Sequence, residues 1–250
     1  MYSLHRWLLV VALAAALAAC GSDDATKPTG ATKANESIPT PTPSPTIQDV
    51  TALPDFSALA PGSYFMDPDS DPSTPLRLEY EIAADGWSQW IGAAKFAGER
   101  HVGVSIVTVT NLVRHGCRDH SRAAPPGPTV DDLATALADL APFRVNSPPR
   151  NVNVYGYPGK HLELTVPDLP MKGRGDNRRF AGCVGGKLKS WIAPAFGAFY
   201  GHTGPGYSEE FWILDVEGSR LVIVAERSPG MPAKDIAEMR AILDSIRIEP

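Results

Sequence analysis

Three cysteines have the most readily assigned chemistry in this sequence, and Cys20 is the first of them. It follows Arg6 and an apolar run of 13 residues, Trp7–Ala19, which closes with Leu17-Ala18-Ala19. This arrangement is typical of a bacterial lipobox, in which the cysteine is acylated and the residues before it are removed. The run is also too short for a membrane-spanning helix, which needs about 20 apolar residues. We therefore predict a signal peptide at residues 1–19, and a lipid on Cys20 that anchors the chain to the extracytoplasmic face of the cell membrane.

The other two cysteines, Cys117 and Cys183, form an even pair in a chain predicted to be exported. Exported proteins meet an oxidising environment, which favours a disulfide over two free thiols. We predict the disulfide, with two buried free thiols as the alternative.

Basic residues cluster on both sides of this predicted bond. Residues 172–189 carry six of them against Asp176, and residues 114–122 carry three against Asp119. The nine are Arg114, Arg118, Arg122, Lys172, Arg174, Arg178, Arg179, Lys187 and Lys189. A disulfide between Cys117 and Cys183 would place the two segments side by side. They are then either two solvated loops, or an anion site for lipid headgroups, anionic wall polymers such as teichoic acids, or an acidic protein partner.

Catalytic motifs are scarce. The sequence contains no G-x-S-x-G, no H-E-x-x-H and no phosphate-binding glycine loop. A cell-wall-modifying hydrolase would need paired carboxylates about 5–9 Å apart, such as Glu163 with Glu209 or Glu210. We keep this enzyme as the alternative to a non-catalytic binding or accessory module. A lipid carrier is a third possibility, and it requires a large apolar cavity.

Two clusters contain metal-ligand residue types, and neither predicts a metal. Asp67, Asp69 and Asp71 match the first positions of a calcium loop, but Pro72 and Leu78 stand where that loop needs glycine and glutamate. The second cluster consists of His115, Cys117, Asp119 and His120. A disulfide would remove the thiolate that zinc would require there. We predict no metal and no cofactor.

Four tryptophans could form a surface that binds sugars. Trp87, Trp90, Trp191 and Trp212 have the ring type that stacks on sugars. Aromatic residues in a small sheet are more often part of the core, and we expect three of these four to be buried.

The composition of the sequence indicates one globular domain behind an extended stalk. The formal net charge of −5 argues against a nucleic-acid partner. Residues 20–50 are rich in proline, threonine and serine, which predicts an extended, disordered stalk behind the lipid. Residues 51–250 then remain for a single globular domain.

The hydrophobic pattern of that domain alternates with a period of two in most segments, and it predicts strands at 76–82, 101–113, 152–155, 160–166, 190–193, 209–216, 219–226 and 247–250. Glu217-Gly218 predicts a tight hairpin turn, and Gly156–Gly159 predicts a second one. A helix is expected after the capping residues Thr129 and Asp132, and another after Pro232. The predicted fold is α+β, with an antiparallel sheet of about six to eight strands and two helices packed on it.

This order of elements, behind a lipobox and a stalk, resembles the PsbP-like fold of small secreted actinobacterial lipoproteins of the LpqN type. The segments that carry the resemblance are 127–133 (GPTVDDL), 156–161 (GYPGKH) and 211–216 (FWILDV). It implies a binding or assembly role, because members of that fold generally act as accessory proteins. It carries no catalytic motif, so no functional residue of the family is assigned to this chain.

Overall fold

The computed structural model describes residues 47–69, 71, 73–173, 177–194 and 197–249. The predicted signal peptide, Cys20, nearly all of the predicted stalk, and Arg174 lie outside these residues. All the described residues belong to one compact unit. None of their helices has the length and apolar character needed to cross a membrane.

Eighteen strands and two α-helices make up the described chain. In chain order the strands are β1 (Gln48–Asp49), β2 (Ala58–Leu59), β3 (Gly62–Met66), β4 (Arg77–Ile82), β5 (Trp87–Gln89), β6 (Gly92–Ala97), β7 (Arg100–Val107), β8 (Asn111–His115), β9 (Asp119–Arg122), β10 (Arg144–Val154), β11 (Tyr157–Thr165), β12 (Met171–Lys172), β13 (Arg179–Phe180), β14 (Leu188–Ile192), β15 (Phe199–His202), β16 (Ser208–Val216), β17 (Ser219–Arg227) and β18 (Arg247–Glu249). The helices are α1 (Val130–Ala138) and α2 (Ala233–Ser245).

An eight-stranded sheet forms the centre of the domain. Its strand order is β10-β11-β16-β17-β7-β6-β5-β2, and every neighbouring pair is antiparallel. The predicted α+β class, the antiparallel sheet and its two helices are confirmed. The predicted hairpin at Glu217-Gly218 is also confirmed, because Val216 pairs with Ser219 across these two turn residues.

Both faces of this sheet are covered, which follows from the alternation of side chains along its strands. On one face lie α2 and a four-stranded sheet, β1-β3-β4-β18. On the other lie α1 and a second four-stranded sheet, β15-β14-β8-β9. Strand β16 shows the division: Leu214 enters the first core, whereas Phe211 and Ile213 enter the second. The result is a three-layered domain with two apolar cores.

The two helices begin and pack as the sequence predicts. At the start of α1 the Thr129 side chain accepts a hydrogen bond from Asp132 N–H (3.1 Å), and the Asp132 carboxylate accepts one from Thr129 N–H (2.9 Å). This capping box satisfies donors that the first turn leaves unpaired. Helix α2 buries Met239, Ile242 and Leu243, and the chain then returns as β18, antiparallel to β4.

The single strand predicted at residues 101–113 is wrong. Strand β7 belongs to the central sheet and β8 to a neighbouring sheet, and between them Thr110 N–H donates to Ile192 O (2.9 Å). The segment is rich in valine, isoleucine and threonine on both sides of this bend. Its hydrophobic pattern therefore does not reveal where the chain leaves one sheet for the other.

The outermost strand, β10, also differs from its prediction, because it begins eight residues earlier than expected, at Arg144. Its pairing with β11 shifts register between Val145 and Ser147 and again between Ser147 and Arg150. Two prolines, 148 and 149, lie within the second shift, and they lack the N–H that a regular ladder needs. The turn after this strand is the two-residue Tyr155-Gly156 rather than the predicted Gly156–Gly159.

Candidate functional site

A disulfide joins Cys117 to Cys183, which confirms the predicted pairing. The two Cα atoms are 4.5 Å apart, and the residues are separated by 66 positions in the sequence. The bond connects the turn between β8 and β9 to the segment between β13 and β14. A cross-link that closes a loop of this length stabilises the fold by about 4 kcal/mol in the chain-entropy treatment.

Backbone hydrogen bonds hold the two segments together on both sides of the disulfide. Val184 N–H donates to Cys117 O (2.8 Å), and Lys189 N–H donates to Gly116 O (2.9 Å). Gly116 is necessary here, because a Cβ at this position would lie 2.7 Å from Lys189 O. The predicted juxtaposition of the two basic segments is therefore present in the structure.

We use the term basic surface for the cations on these segments and on the neighbouring strands: Arg114, Arg118, Arg122, Lys172, Arg179, Lys187 and Lys189. All are exposed except Lys189, which is half-buried. Among the described residues, no carboxylate oxygen lies within 4.0 Å of a side-chain nitrogen of these seven. The cations are thus held near one another without acidic partners at ion-pair distance.

Two members of the basic surface are directly opposed. Lys172 on β12 and Arg179 on β13 are cross-strand partners in an antiparallel pair. The Arg179 stem passes over Gly186, where a Cβ would lie 2.8 Å from Arg179 Cβ. Like charges directly opposite each other destabilise an antiparallel pair. An anion between the two side chains would remove that cost.

Arg178 is separated from Arg179, although the sequence placed both in one cluster. Its Nη1 forms an ion pair with Glu99 Oε2 (2.9 Å), and both side chains are partly exposed. Clefts of about 210 and 300 Å³ adjoin this ion pair, and Glu99, Arg178 and Thr203 line both. Arg178 is therefore neutralised in part by an acid that lies far away in the sequence.

The larger of these clefts adjoins the basic surface through Lys187, and the buried His202 also lines it. His202 Nε2 lies 2.9 Å from Ser190 Oγ. Burial lowers the pKa of His202 to about 3, so the ring is neutral at physiological pH. Met171 and Phe180 give the same cleft an apolar wall.

Beneath the cleft lies a set of hydrogen-bonded side chains that we call the buried acid network. Its members are His101, Ser105, Ser190, Trp191, Tyr200, His202, Tyr207, Glu209 and Glu226. Glu226 is completely buried and accepts hydrogen bonds from Ser105 Oγ (2.7 Å), Tyr200 Oη (2.7 Å) and Tyr207 Oη (2.9 Å). Glu209 accepts one from Trp191 Nε1 (3.1 Å). Sequence reasoning did not identify this network.

The two glutamates titrate in opposite directions although they are cross-strand partners in the hairpin β16–β17. Burial, together with the charge of Glu226, raises the pKa of Glu209 well above its ordinary value. Burial also acts against ionisation of Glu226, but hydrogen bonds from His101, Ser105 and Tyr200 hold the pKa of Glu226 below its ordinary value. Glu209 therefore holds its proton more tightly than Glu226, because two adjacent buried charges would repel.

Of the two carboxylate pairs expected for a hydrolase, the structure brings together Glu163 and Glu210, which are cross-strand partners and line one cleft of about 200 Å³. Glu163 and Glu209 lie on opposite faces of the sheet, because Glu163 is the cross-strand partner of Glu210. Glu210 is already bound to His161 Nε2 (2.8 Å) and to the Arg240 guanidinium. Burial opposes ionisation, yet Arg240 and His161 hold the pKa of Glu210 below its ordinary value. A carboxylate whose pKa is lowered by two such partners is poorly suited to act as a general acid.

The clusters with metal-ligand residue types serve local turns. The Asp67, Asp69 and Asp71 carboxylates each accept a hydrogen bond from the N–H two residues onward. His115 Nδ1 accepts from Cys117 N–H and Arg118 N–H, each at 3.1 Å. Within the described part of the chain, no three His, Cys, Asp or Glu side chains are grouped to hold a metal ion.

All four tryptophans lie in the cores or pack against them. Trp87 and Trp191 are buried, whereas Trp90 and Trp212 are half-buried at the margins of the cores. Trp90 stacks on the exposed ring of Phe56 with 5.0 Å between ring centroids. Phe56 was not identified from the sequence.

The volumes of the clefts are relevant to the third possible function, that of a lipid carrier. Five clefts in the described residues have volumes between about 200 and 300 Å³, and each is lined by at least one charged side chain. A carrier of acyl chains would need a larger and more apolar cavity than any of these five.

Comparison with known proteins adds no assignment: the chain matches no protein-family model, and no curated protein is significantly similar to it.

Proposed function

We propose that the protein is a lipid-anchored extracytoplasmic binding module, and that its basic surface captures an anionic component of the cell envelope. The observation that carries this proposal is the disulfide between Cys117 and Cys183, which holds two cationic segments side by side. The seven cations of the basic surface have no acidic partner at ion-pair distance among the described residues. A cross-linked cluster of this kind favours polyanions, because its geometry is set before binding.

The chemistry of the basic surface favours a polymer with repeated negative charges, or a membrane with many anionic lipid headgroups. Lys172 and Arg179 face each other across two short strands, and Lys187 follows Gly186 against the Arg179 stem. Lysine ammonium groups and arginine guanidinium groups both bind phosphate oxygens. Since the cations are exposed, their mutual repulsion costs the fold little.

The predicted position at the membrane rests on the lipobox at Leu17–Cys20, and we propose Cys20 as the acylated residue. We further propose that the α+β domain is PsbP-like. The order of its elements along the sequence, with two helices and an antiparallel sheet, supports this assignment. An accessory role in the envelope is consistent with both.

Charge reversal on the basic surface tests the binding function. Full-length protein purified in detergent is titrated with phosphatidylglycerol vesicles and with a phosphate-containing wall polymer, over a range of salt concentrations. We expect affinity to fall steeply above about 0.15 M salt, where the screening length is about 8 Å. Arg179→Glu combined with Lys187→Glu should weaken binding by about tenfold or more, since each basic residue near an anionic surface contributes about 1 kcal/mol.

A matched control changes the same amount of charge elsewhere. Lys234→Glu combined with Arg247→Glu alters two exposed cations of α2 and β18, and it should leave affinity nearly unchanged. If the two double variants lose affinity equally, the binding depends on net charge alone and not on the basic surface. Absence of salt-dependent binding to either probe would reject the basic surface as the binding site.

The anchor is tested separately. Cys20→Ala should either release the protein from membranes or leave it as an uncleaved precursor, as measured by fractionation and by incorporation of labelled palmitate. Unchanged labelling would reject Cys20 as the acylated residue.

A further inference from the structure

Two exposed aromatic rings, Phe56 and Phe96, lie near the end of the central sheet formed by β5 and β2. Phe56 is 57% exposed and Phe96 is 41% exposed. The Phe56 ring stacks on Trp90 with an interplanar angle of 23°, and its centroid is 5.7 Å from that of Phe96. Trp90, which is half-buried, thus supports an aromatic ring that faces solvent.

The backbone beside these rings adopts a conformation that side chains disfavour. Phe56 has φ 64°, and Ile91, in the loop that joins β5 to β6, has φ 50°; both lie in the left-handed region. The other described non-glycine residues with positive φ are Tyr155 and Glu217, which begin two-residue hairpin turns that require it. Phe56 is the third residue of a turn in which Ser57 N–H donates to Pro54 O (3.1 Å), and its own N–H donates to Gln89 O (3.0 Å). Folding alone would favour glycine or asparagine over an exposed phenylalanine there.

A cleft of about 280 Å³ begins beside the stacked rings. Trp90, Asp55 and Asp67 are among the residues that line it. Gln89 also lines it and is only 8% exposed. Its Oε1 atom is buried and receives no hydrogen bond from any described residue. A buried amide oxygen is normally paired, so this atom indicates a donor that a ligand would bring.

We propose that Phe56, Trp90 and this cleft form a binding site for a pyranose ring of a neutral glycan. One face of a pyranose consists of C–H groups, which pack on an aromatic ring, while its rim carries hydroxyl groups that both donate and accept hydrogen bonds. The Phe56 ring supplies the apolar platform. Gln89 Oε1 and the carboxylates of Asp55 and Asp67 supply acceptors for the hydroxyl groups.

Other occupants fit these residues less well. A lipid chain would gain nothing from two carboxylates beside the rings. A second copy of this chain would need about 800 Å² per partner for a stable interface, and two half-exposed phenylalanine rings offer only about 200 Å². The glycan site does not depend on the basic surface, because it uses no cation.

The experiment titrates chitotetraose and cellotetraose into full-length protein, held in a detergent without a sugar headgroup. Salt is kept at about 0.5 M, where the screening length is about 4 Å, so that binding to the basic surface is suppressed. Calorimetry and tryptophan fluorescence report binding. We expect at least one oligosaccharide to bind the wild-type protein.

Variants assign the binding to the site. Phe56→Asn should weaken it by about tenfold or more, as truncation of an aromatic anchor does. Its urea midpoint should not fall, because asparagine tolerates the left-handed conformation. Gln89→Met keeps the volume but removes the acceptor, so it should also weaken binding without loss of stability. Phe56→Tyr should retain binding, and Val145→Ala, which alters an exposed apolar residue of β10, should leave it unchanged.

Three results would overturn the proposal. The first is no measurable binding of either oligosaccharide at about 10 mM, a concentration at which even millimolar affinity would saturate the site. The second is wild-type affinity in both Phe56→Asn and Gln89→Met. The third is a dimer of the wild-type protein that Phe56→Asn converts to a monomer in sedimentation, which would assign the rings to self-association.

Discussion

Strand β14 contributes to two charged regions that the molecule organises in opposite ways. Its Ser190 and Trp191 belong to the buried acid network, whereas the adjacent Lys189 belongs to the basic surface. In the network, Glu226 has three hydroxyl donors within hydrogen-bond distance. On the basic surface, the seven cations have no carboxylate of a described residue within 4.0 Å. Buried charge is paired because an unpaired one would prevent folding, while exposed cations remain free to meet a ligand.

Removal of Glu226 should have the largest effect on stability. Glu226→Ala leaves the hydroxyls of Ser105, Tyr200 and Tyr207 buried without their acceptor. We expect the free energy of unfolding to fall by about 3–5 kcal/mol, the cost typical of breaking a buried charged cluster. Urea denaturation measures this loss. A change below about 1 kcal/mol would mean that the network is not part of the stable core.

Loss of the disulfide should come next, and it acts on the basic surface. Cys117→Ser combined with Cys183→Ser should lower the free energy of unfolding by about 4 kcal/mol. Binding to anionic vesicles should weaken as well, because the two cationic segments lose their fixed spacing. If the double variant binds as tightly as the wild type, the hydrogen bonds of Gly116 and Cys117 alone are enough to hold the surface.

A substitution of Glu209 should show that the two carboxyl groups of the buried pair, Glu209 and Glu226, affect stability differently as the pH changes. The raised pKa of Glu209 means that the folded state holds its proton more tightly, so stability is lost as the pH rises from the unfolded value of about 4.5 toward the folded one. Glu209→Gln mimics the neutral acid. We expect its urea midpoint to exceed that of the wild type at pH 7, and the difference to vanish near pH 4.

A fall in pH should destabilise the fold through two other groups of the buried acid network. The direction of this change follows from the lowered pKa values of both groups. His202, with a pKa of about 3 in the folded protein, stabilises the fold above pH 6.5 and loses that contribution as the pH falls toward 3. Glu226 loses its contribution as the pH falls below about 4.5. A wild-type stability that rises continuously between pH 5 and pH 3 would contradict both directions.

A substitution of Lys172 should have the smallest effect on stability, and the sign of that effect is informative. Lys172→Glu converts a repulsive cross-strand pair with Arg179 into an attractive one. We expect a gain of about 0.2–1 kcal/mol in the free energy of unfolding and weaker binding to anionic vesicles. Lys234→Glu, on the exposed side of α2, is the control and should produce no such gain.

The sequence predicted the basic surface more fully than the buried acid network, and the reason is physical. Cys117 and Cys183 are a covalent pair with few possible partners, so the bond located the cations flanking it. The position of Glu99 beside Arg178 depends on tertiary packing, which no local pattern encodes.

The network itself had a detectable signal. A two-residue turn at Glu217-Gly218 fixes the register of its hairpin, and that register makes Glu209 the partner of Glu226. Each glutamate also continues a row of buried residues, such as Phe211 in one strand and Val224 in the other. What the sequence does not reveal is the set of tyrosines and histidines that β7 and β15 bring to this pair.

The aromatic site was harder to predict. The tryptophan count indicated a stacking surface, but it did not distinguish Trp90 from the buried Trp87. Phe56 adopts a positive φ that its residue type disfavours, so propensity argues against the conformation found.

The two edges of the central sheet have a consequence for behaviour at high local density. A lipid anchor would concentrate many copies on one membrane, where exposed strand edges can join between molecules into intermolecular sheets. At one edge, β10 carries Pro148 and Pro149 in a register shift, so it lacks a continuous row of donors for a neighbour. At the other edge, β2 is only two residues long. Both ends therefore resist strand addition, and the domain can be crowded on a surface without forming aggregates through its sheet.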